Sequence, residues 1–293
     1  MAGKRVKKEK KRHLPGVLLV FALLAVLVIS GELSGIAADS PAETAEPETV
    51  AQVEEVHEEQ TVVEESPVWE GPVSETVRVE DTYFDDAVFL GDSRTDGLRI
   101  YGGMNHGTYL QFTGATVESV FTKEVETPVG TMPLLDALAQ MECGKIFVML
   151  GVNELGWNGT DIFRNQSTLL IQRLKEDHPD AEIVIQSILP VSAAKDEEGR
   201  YVNNQRINDY NQVWLELAEE FGVSYMNVAE SVADAEGRLP KDLCYDGVHL
   251  NKAGCRQWLE YLRTHAVGDY SEYIAPPDEE VQTIEDVQKE AAE

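Results

Sequence analysis

A serine, an aspartate and a histidine occur in two short stretches of this chain that could together perform nucleophilic chemistry. Ser93 follows Gly91-Asp92, and Asp246 lies three residues before His249 in a second polar stretch. A serine hydroxyl is a weak nucleophile until a base takes its proton, and histidine is the usual base near neutral pH. Imidazole then needs an acceptor on its other nitrogen, a role available to Asp246. These residue types predict acyl transfer to Ser93.

Such a reaction also requires hydrogen-bond donors that stabilise the oxyanion of the tetrahedral intermediate. The backbone N–H of Ser93, the N–H of a loop glycine and the side-chain amide of Asn153 are the candidates. One donor of this kind is typically worth about 10²–10³ in rate. A simpler interpretation stays open for each residue, with Ser93 as a helix N-cap, Asn153 as a turn former and His249 as a surface histidine.

The elements that must position these residues are short apolar strands separated by amphipathic helices. Strands are predicted at residues 88–90, 108–112, 145–150, 182–189 and 223–228. Helices are predicted at residues 95–101, 132–141, 161–175, 204–221 and 253–263, and the buried stripe of the third is predicted to be Ile162, Leu169, Leu170 and Leu174. Strands without strict alternation, separated by helices, predict a parallel sheet covered on both faces, in a three-layer α/β/α sandwich. Ser93, Asn153 and His249 then follow elements that can meet at one edge of the sheet.

Four blocks of the sequence resemble, in order and approximate spacing, those of the SGNH (GDSL-type) hydrolase family. They are Gly91-Asp92-Ser93, Gly114, Gly151-Val152-Asn153 and Asp246-Gly247-Val248-His249. The resemblance covers residues 81–262 and implies a flavodoxin-like α/β/α fold and ester hydrolysis without a metal or cofactor. It also implies Ser93 as nucleophile, His249 as base and Asp246 as its partner. The implied oxyanion hole consists of the Ser93 N–H, the Gly114 N–H and the Asn153 side chain.

The sequence departs from the family pattern at two of these blocks. Arg94 stands where the Gly-Asp-Ser-Leu motif that names the family has a leucine. In this feature the chain resembles a subgroup of membrane-anchored bacterial proteins. Glu154 ends the third block where aspartate is commoner, and we expect it to shape the Asn153 loop. The glycine of the second block has alternatives to Gly114 nearby, namely Gly102, Gly103 and Gly107.

Three further residues are candidates for substrate binding. Arg94 either binds an anionic group of a substrate or pairs with Asp96 or Glu154, and the ion pair is the interpretation we favour. Trp157 lies in a polar, glycine-rich loop and is either a platform for a sugar ring or an anchoring aromatic. Tyr245 is expected to line the pocket.

Charge and hydropathy predict the location of the protein. The formal charge of −29 disfavours nucleic acid as a partner, because an acidic chain repels phosphate. Residues 1–13 are strongly basic, and the apolar run at residues 14–31 is long enough for a membrane anchor. The positive-inside rule places residues 1–13 in the cytoplasm and the remainder outside. A signal peptide cleaved near residues 35–37 is the alternative.

The predicted domain order follows from the composition of the remaining chain. Residues 32–80 form an acidic, disordered linker, residues 81–273 the hydrolase domain and residues 274–293 an acidic, disordered tail. Cys244 and Cys255 flank the Asp246 stretch and could form a disulfide, although unpaired thiols are the favoured interpretation for an odd count of 3 cysteines. The cysteine and histidine spacing does not indicate a zinc site.

These features predict a single-pass, extracytoplasmic serine esterase that removes an acyl group, with acetyl as the natural candidate, from a glycan or small ester. Two alternatives use the same fold. One is an O-acyltransferase acting on a cell-surface glycan with the same triad. The other is a non-catalytic glycan-binding domain, which an intact Ser, Asp and His disfavour.

Overall fold

The computed structural model describes residues 69–276, where strands and helices alternate. The strands are β1 (Ala87–Gly91), β2 (Thr108–Gln111), β3 (Val125–Thr127), β4 (Gly130–Met132), β5 (Lys145–Met149), β6 (Glu182–Gln186) and β7 (Ser224–Met226). The α-helices are α1 (Ser93–Tyr101), α2 (Leu134–Leu138), α3 (Thr160–Asp177), α4 (Ala193–Asp196), α5 (Asn204–Phe221) and α6 (Lys252–Arg263). Single 3₁₀ turns lie at Asp81–Phe84, Ser119–Phe121, Val228–Ser231, Lys241–Leu243 and Ser271–Tyr273.

Five of the strands form one parallel sheet in the order β2-β1-β5-β6-β7, while β3 and β4 form a separate antiparallel hairpin. Counted along the large sheet alone, this is the 2-1-3-4-5 order of flavodoxin-like folds. Gly91, the last residue of β1, pairs with Gln111 of β2 and Met149 of β5. The loops that follow these three strands therefore emerge side by side at one edge.

Both faces of the sheet are buried, which explains why its central strands are continuously apolar. Val88 and Leu90 of β1 pack into a core with residues of α2, α3 and α5. Ala87 and Phe89 of the same strand pack on the other face with residues of α1 and α6. The prediction of a parallel sheet flanked by helices is confirmed.

The helix bounds agree with the sequence pattern at α5 and differ at α3. Helix α5 begins after Asn203, whose side chain accepts from the Arg206 N–H, and ends at Gly222 in a left-handed conformation. In α3 the predicted stripe was wrong at two positions, because Ile162 and Leu169 are 48% and 49% exposed. The buried face of α3 is instead Phe163, Ser167, Leu170, Ile171 and Leu174.

The predicted basic tail (1–13), membrane anchor (14–31) and most of the linker and acidic tail lie outside residues 69–276. None of the helices within that range is long and apolar enough to cross a bilayer. All three cysteines lie inside the range and are free thiols, with Cys255 buried.

Candidate active site

Ser93 and His249 are 156 residues apart in sequence and are hydrogen-bonded in the structure. The Ser93 Oγ lies 2.9 Å from the His249 Nε2, which is the distance at which imidazole can accept the hydroxyl proton. On the other side of the ring, Nδ1 lies 2.8 Å from the Asp246 Oδ2. The imidazole side chain is 43% exposed, so a substrate can approach it. The three residues thus have the geometry of a Ser-His-Asp triad.

Asp246 is held by its own loop as well as by the imidazole. Its Oδ1 accepts hydrogen bonds from the backbone N–H of Val248 at 2.9 Å and of His249 at 2.8 Å. Partial burial opposes ionisation, but these bonds and the His249 side chain outweigh it and lower the pKa of Asp246 to about 2. The carboxylate is therefore ionised at neutral pH and fixed with one oxygen toward the ring.

Ser93 is the first residue of α1 and is separated from β1 only by Asp92. Asp92 is the N-cap, and its Oδ1 accepts from the Arg94 N–H at 2.8 Å. The N–H of Ser93 belongs to the first helical turn, whose amides have no acceptor within the helix. It is therefore oriented by the helix toward the carboxyl edge of the sheet and can donate to an anion there.

Asn153 ties the loop after β5 to the loops after β1 and β2. Its Nδ2 donates to the Ala115 carbonyl at 2.8 Å and to the Asp92 Oδ2 at 3.3 Å. Both partners are oxygen acceptors, which fixes the amide with its nitrogen toward Ser93's neighbour Asp92. An oxyanion formed at Ser93 can replace the longer of these two bonds.

Gly114 lies in the turn after β2, with φ +81° and an exposed surface. The Ala115 N–H closes this turn on the Phe112 carbonyl at 3.1 Å. The alternatives lie elsewhere, since Gly107 precedes β2 and Gly102 and Gly103 follow the far end of α1. Gly114 is the candidate that lies at the same edge as Ser93.

Glu154 is fully buried beside Asn153. Its Oε1 accepts from the Val117 N–H at 2.7 Å, and its Oε2 has no partner within the described residues. Burial is the main cause that raises the pKa of Glu154 to about 8, and the nearby Asp92 adds to it. The expectation that Glu154 shapes the Asn153 loop is confirmed, because it binds that loop to the loop carrying Gly114.

A family model described as the GDSL-like Lipase/Acylhydrolase family matches residues 89–257, which include all four blocks. The chain belongs to this family. It is therefore an enzyme of the lipase and esterase class, as the sequence predicted. Among curated proteins no relative matches.

Solved structures similar to this chain include members of the same family. A Streptococcus pneumonia protein described in relation to platelet activating factor is 26% identical, with a TM-score of 0.49, over 60% of this chain and 81% of that one. A GDSL-like lipase from Bacteroides thetaiotaomicron is 14% identical, with a TM-score of 0.46, over 63% and 86%. An acetyl xylan esterase from Geobacillus stearothermophilus is 14% identical, with a TM-score of 0.43, over 68% and 99%.

Arg94 occupies the position at which the Gly-Asp-Ser-Leu motif of the family has a leucine. It does not form the predicted ion pair. Asp96 pairs instead with Arg99 at 2.8 Å, and no arginine of residues 69–276 forms a salt bridge with Glu154, whose Oε1 accepts from the Val117 N–H. The Arg94 side chain is only 3% exposed, and its Nη1 donates to the Leu189 carbonyl at 2.8 Å. Its place beneath the surface does not suit direct contact with a substrate.

Tyr245 and Trp157 of this GDSL-like enzyme differ in how far their side chains are exposed to solvent. Tyr245 is 64% exposed, packs against Tyr101 with ring centroids 5.9 Å apart, and lines a cleft of about 500 Å³ that also includes Asp246. Trp157 is half-buried against the core, and its N–H closes a turn on the Glu154 carbonyl at 2.8 Å. The structure thus gives Trp157 an anchoring position and Tyr245 an open one.

Ser192 is a residue of the site that the sequence analysis did not identify. Its N–H donates to the Gly247 carbonyl at 2.9 Å, which braces the loop between Asp246 and His249. Ser192 and Gly247 are distant in sequence, so their contact has no signal in the local sequence. Ser192 is also the N-cap of α4, and only this capping role could have been predicted from the neighbouring residues. Within residues 69–276, no cluster of His, Cys, Asp and Glu has the arrangement of a metal site.

Proposed function

We propose that this chain is a membrane-anchored, extracytoplasmic serine esterase that removes an acyl group, acetyl in the first instance, from a glycan or small ester. The observation that carries the proposal is the continuous hydrogen-bonded path from the Ser93 Oγ through His249 to Asp246, with distances of 2.9 and 2.8 Å. Membership of the GDSL-like family supports the same reaction class.

In the proposed reaction the Ser93 Oγ attacks the acyl carbonyl while His249 Nε2 accepts the hydroxyl proton. The oxyanion is stabilised by the N–H groups of Ser93 and Gly114 and by the Asn153 amide. Collapse of the intermediate passes the proton from His249 to the departing alcohol and leaves an acyl group on Ser93. A water, deprotonated by His249, then releases the acid and restores Ser93.

A glycan carrier is supported by the surface beside the triad. Tyr245 and Tyr101 expose aromatic rings next to the histidine loop, and aromatic rings stack well on the apolar faces of sugars. The location rests on the sequence, with the anchor at residues 14–31, the linker at 32–80, the hydrolase domain at 81–273 and the tail at 274–293.

Hydrolysis of p-nitrophenyl acetate by the full chain in mild detergent tests the reaction. The native enzyme should be active, and Ser93→Ala and His249→Ala should each lose about 10³-fold or more in kcat. Serine variants outside the site, such as Ser271→Ala, serve as the matched control. Unchanged activity in Ser93→Ala would refute the mechanism, and an inactive native chain that acylates a glycan acceptor would establish a transferase.

A second comparison identifies the carrier. Acetylated oligosaccharides should be deacetylated by the native chain, and Tyr245→Ala should raise their KM more than that of p-nitrophenyl acetate. Equal effects on both substrates would argue against a sugar platform at Tyr245.

A further inference from the structure

Three aromatic side chains within residues 69–276 are exposed to solvent, namely Tyr101, Tyr201 and Tyr245. The other aromatic residues of this range are buried or half-buried. Tyr201 is 57% exposed, yet it belongs neither to the triad nor to the oxyanion hole. Single exposed apolar residues are common on protein surfaces, so the contacts of each ring decide whether it belongs to a binding surface.

Tyr201 packs against the loop after β5, which carries Asn153. Its ring covers Gly156, where an added Cβ would lie 3.4 Å from the ring carbon Cδ2 and 3.6 Å from Cε2. Gly156 is only three residues after Asn153, so their Cα atoms are about 11 Å apart at most. Asn153 and Gly156 are themselves exposed. The ring of Tyr201 thus borders the open loop that supplies the Asn153 amide.

Tyr245 occupies the corresponding position on the histidine loop. Its backbone N–H donates to the His249 carbonyl at 3.0 Å, so it lies directly across this loop from the residue that acts as base. Tyr101 packs against its ring with centroids 5.9 Å apart. All three exposed aromatic side chains therefore border either the histidine loop or the Asn153 loop.

The nucleophile lies where these two loops meet. Ser93 is hydrogen-bonded to His249 at 2.9 Å, and its neighbour Asp92 accepts from the Asn153 amide at 3.3 Å. A substrate bound at Ser93 therefore has the histidine loop with Tyr245 on one side and the Asn153 loop on the other.

The segment that carries Tyr201 is fixed at both ends. The Asn204 side chain accepts from the Val191 N–H at 2.8 Å and donates to the Val191 carbonyl at 2.9 Å, which closes the segment on itself. The Arg206 Nη1 donates to the Leu155 carbonyl, which joins the segment to the Asn153 loop. The exposed ring of Tyr201 is thus held by a braced segment, and little conformational freedom is lost when a ligand covers it.

We propose that this enzyme acts on acyl groups carried within a glycan chain, and that Tyr201 is a specificity-determining residue that binds a sugar of that chain on the Asn153 side of Ser93. Tyr245 binds a sugar on the His249 side. Both rings offer a flat apolar face to the apolar face of a pyranose. The inference rests on the proposed esterase function and extends it to the size of the substrate.

A substrate that covers both tyrosines should react more efficiently than a small ester. An acetylated monosaccharide bound at Ser93 does not reach from one loop to the other, whereas an oligosaccharide contacts both rings. Binding energy from parts of a substrate remote from the reacting ester raises kcat/KM. The kcat/KM per acetyl group should therefore rise with the number of sugars.

The experiment measures acetate release by the full chain in mild detergent from O-acetylated xylose, xylobiose and xylotetraose, with p-nitrophenyl acetate as the small ester. Xylo-oligosaccharides serve as the probe because stacking needs only the apolar face of a pyranose ring. The variants are Tyr201→Ala and Tyr201→Phe. Leu169→Ala, which truncates an exposed apolar side chain of α3, is the matched control.

The native chain should show a kcat/KM per acetyl group at least 10-fold higher for the tetrasaccharide than for the monosaccharide. Tyr201→Ala should raise the KM for the tetrasaccharide about 5–10-fold, and more than the KM for p-nitrophenyl acetate. Tyr201→Phe keeps the aromatic face and should keep the preference for the longer chain. Leu169→Ala should behave as the native chain with every substrate, and circular dichroism establishes that all variants are folded.

An equal kcat/KM for one and four sugars in the native chain would overturn the proposal. So would an equal loss of kcat with p-nitrophenyl acetate and with the tetrasaccharide in folded Tyr201→Ala, since Tyr201 would then only support the Asn153 loop. A native chain that is inactive on p-nitrophenyl acetate is a failure of the proposed esterase function itself and is recognised before chain lengths are compared.

Discussion

Gly247 packs so closely against Ser192 that its position has no room for a side chain. A Cβ added to Gly247 would lie 2.4 Å from the Ser192 Oγ, and the backbone of Gly247 has φ +83°. The Ser192 N–H also donates to the Gly247 carbonyl at 2.9 Å. The loop between Asp246 and His249 thus depends on contact with the segment after β6.

Gly247→Ala should therefore displace the histidine loop and lower kcat at least 10-fold, together with a loss of stability of about 1–3 kcal/mol. Gly237→Ala is the matched control, because Gly237 has φ +74° but open space around it. That variant should lose stability through backbone strain and keep its kcat. Kinetics and thermal unfolding of both variants separate the two effects, and equal kcat values would contradict the importance of the contact.

Asp246→Asn should lower kcat by roughly 10²–10⁴-fold, because an amide presents a different pattern of donors and acceptors to the imidazole. The pKa of Asp246 is lowered to about 2 in the folded chain, so its ionised form contributes stability above its unfolded pKa. That contribution is lost progressively as the pH falls from the unfolded pKa through about 2. Across pH 5–8 the kcat of Asp246→Asn should stay low at every pH, and recovery at any pH in this range would argue against an orienting role.

Asn153→Ala should lower kcat about 10²-fold with little change in KM, because in the proposed mechanism the amide stabilises the oxyanion and not the bound ester. The change also removes the bonds to Ala115 and Asp92 that join three loops. Asn227→Ala, which removes an exposed bond to Glu230, is the control. A KM effect without a kcat effect would place Asn153 in substrate binding instead.

The sequence predicted those features that depend on local pattern. The buried runs of β1 and β5, the amphipathic α5 and the Asp92 cap all follow from apolar spacing or capping chemistry. The approach of Ser93 to His249 was anticipated because parallel strands end at one edge. The predicted buried stripe of α3 was wrong at Ile162 and Leu169. These exposed residues have the same helical spacing as buried apolar residues, so spacing alone does not distinguish them.

The interactions that were not predicted join residues far apart in sequence. Arg94 was expected to pair with a nearby carboxylate, but the fold brings the Leu189 carbonyl to it and buries the charge. The contact between Ser192 and Gly247 likewise depends on how the segment after β6 meets the histidine loop. Local sequence patterns do not indicate which distant backbone carbonyl a side chain will contact.

Glu154 is a buried carboxyl group whose ionisation is disfavoured in the folded chain. Burial raises its pKa to about 8 in the folded chain, whereas an unfolded glutamate ionises near 4.3. Stability from this group is therefore fully present below the unfolded pKa and is lost as the pH rises toward 8. We expect the unfolding free energy to fall by a few kcal/mol over that range.

Glu154→Gln tests this origin directly, because the amide keeps an oxygen for the Val117 N–H and cannot ionise. The variant should match the native chain in stability near pH 4 and exceed it near pH 8.5, where the native side chain must carry a buried charge. Glu118→Gln, on an exposed residue of the neighbouring loop, should follow the native pH dependence. Urea unfolding at both pH values measures the difference, and parallel curves for the native chain and Glu154→Gln would show that Glu154 does not set the alkaline loss of stability.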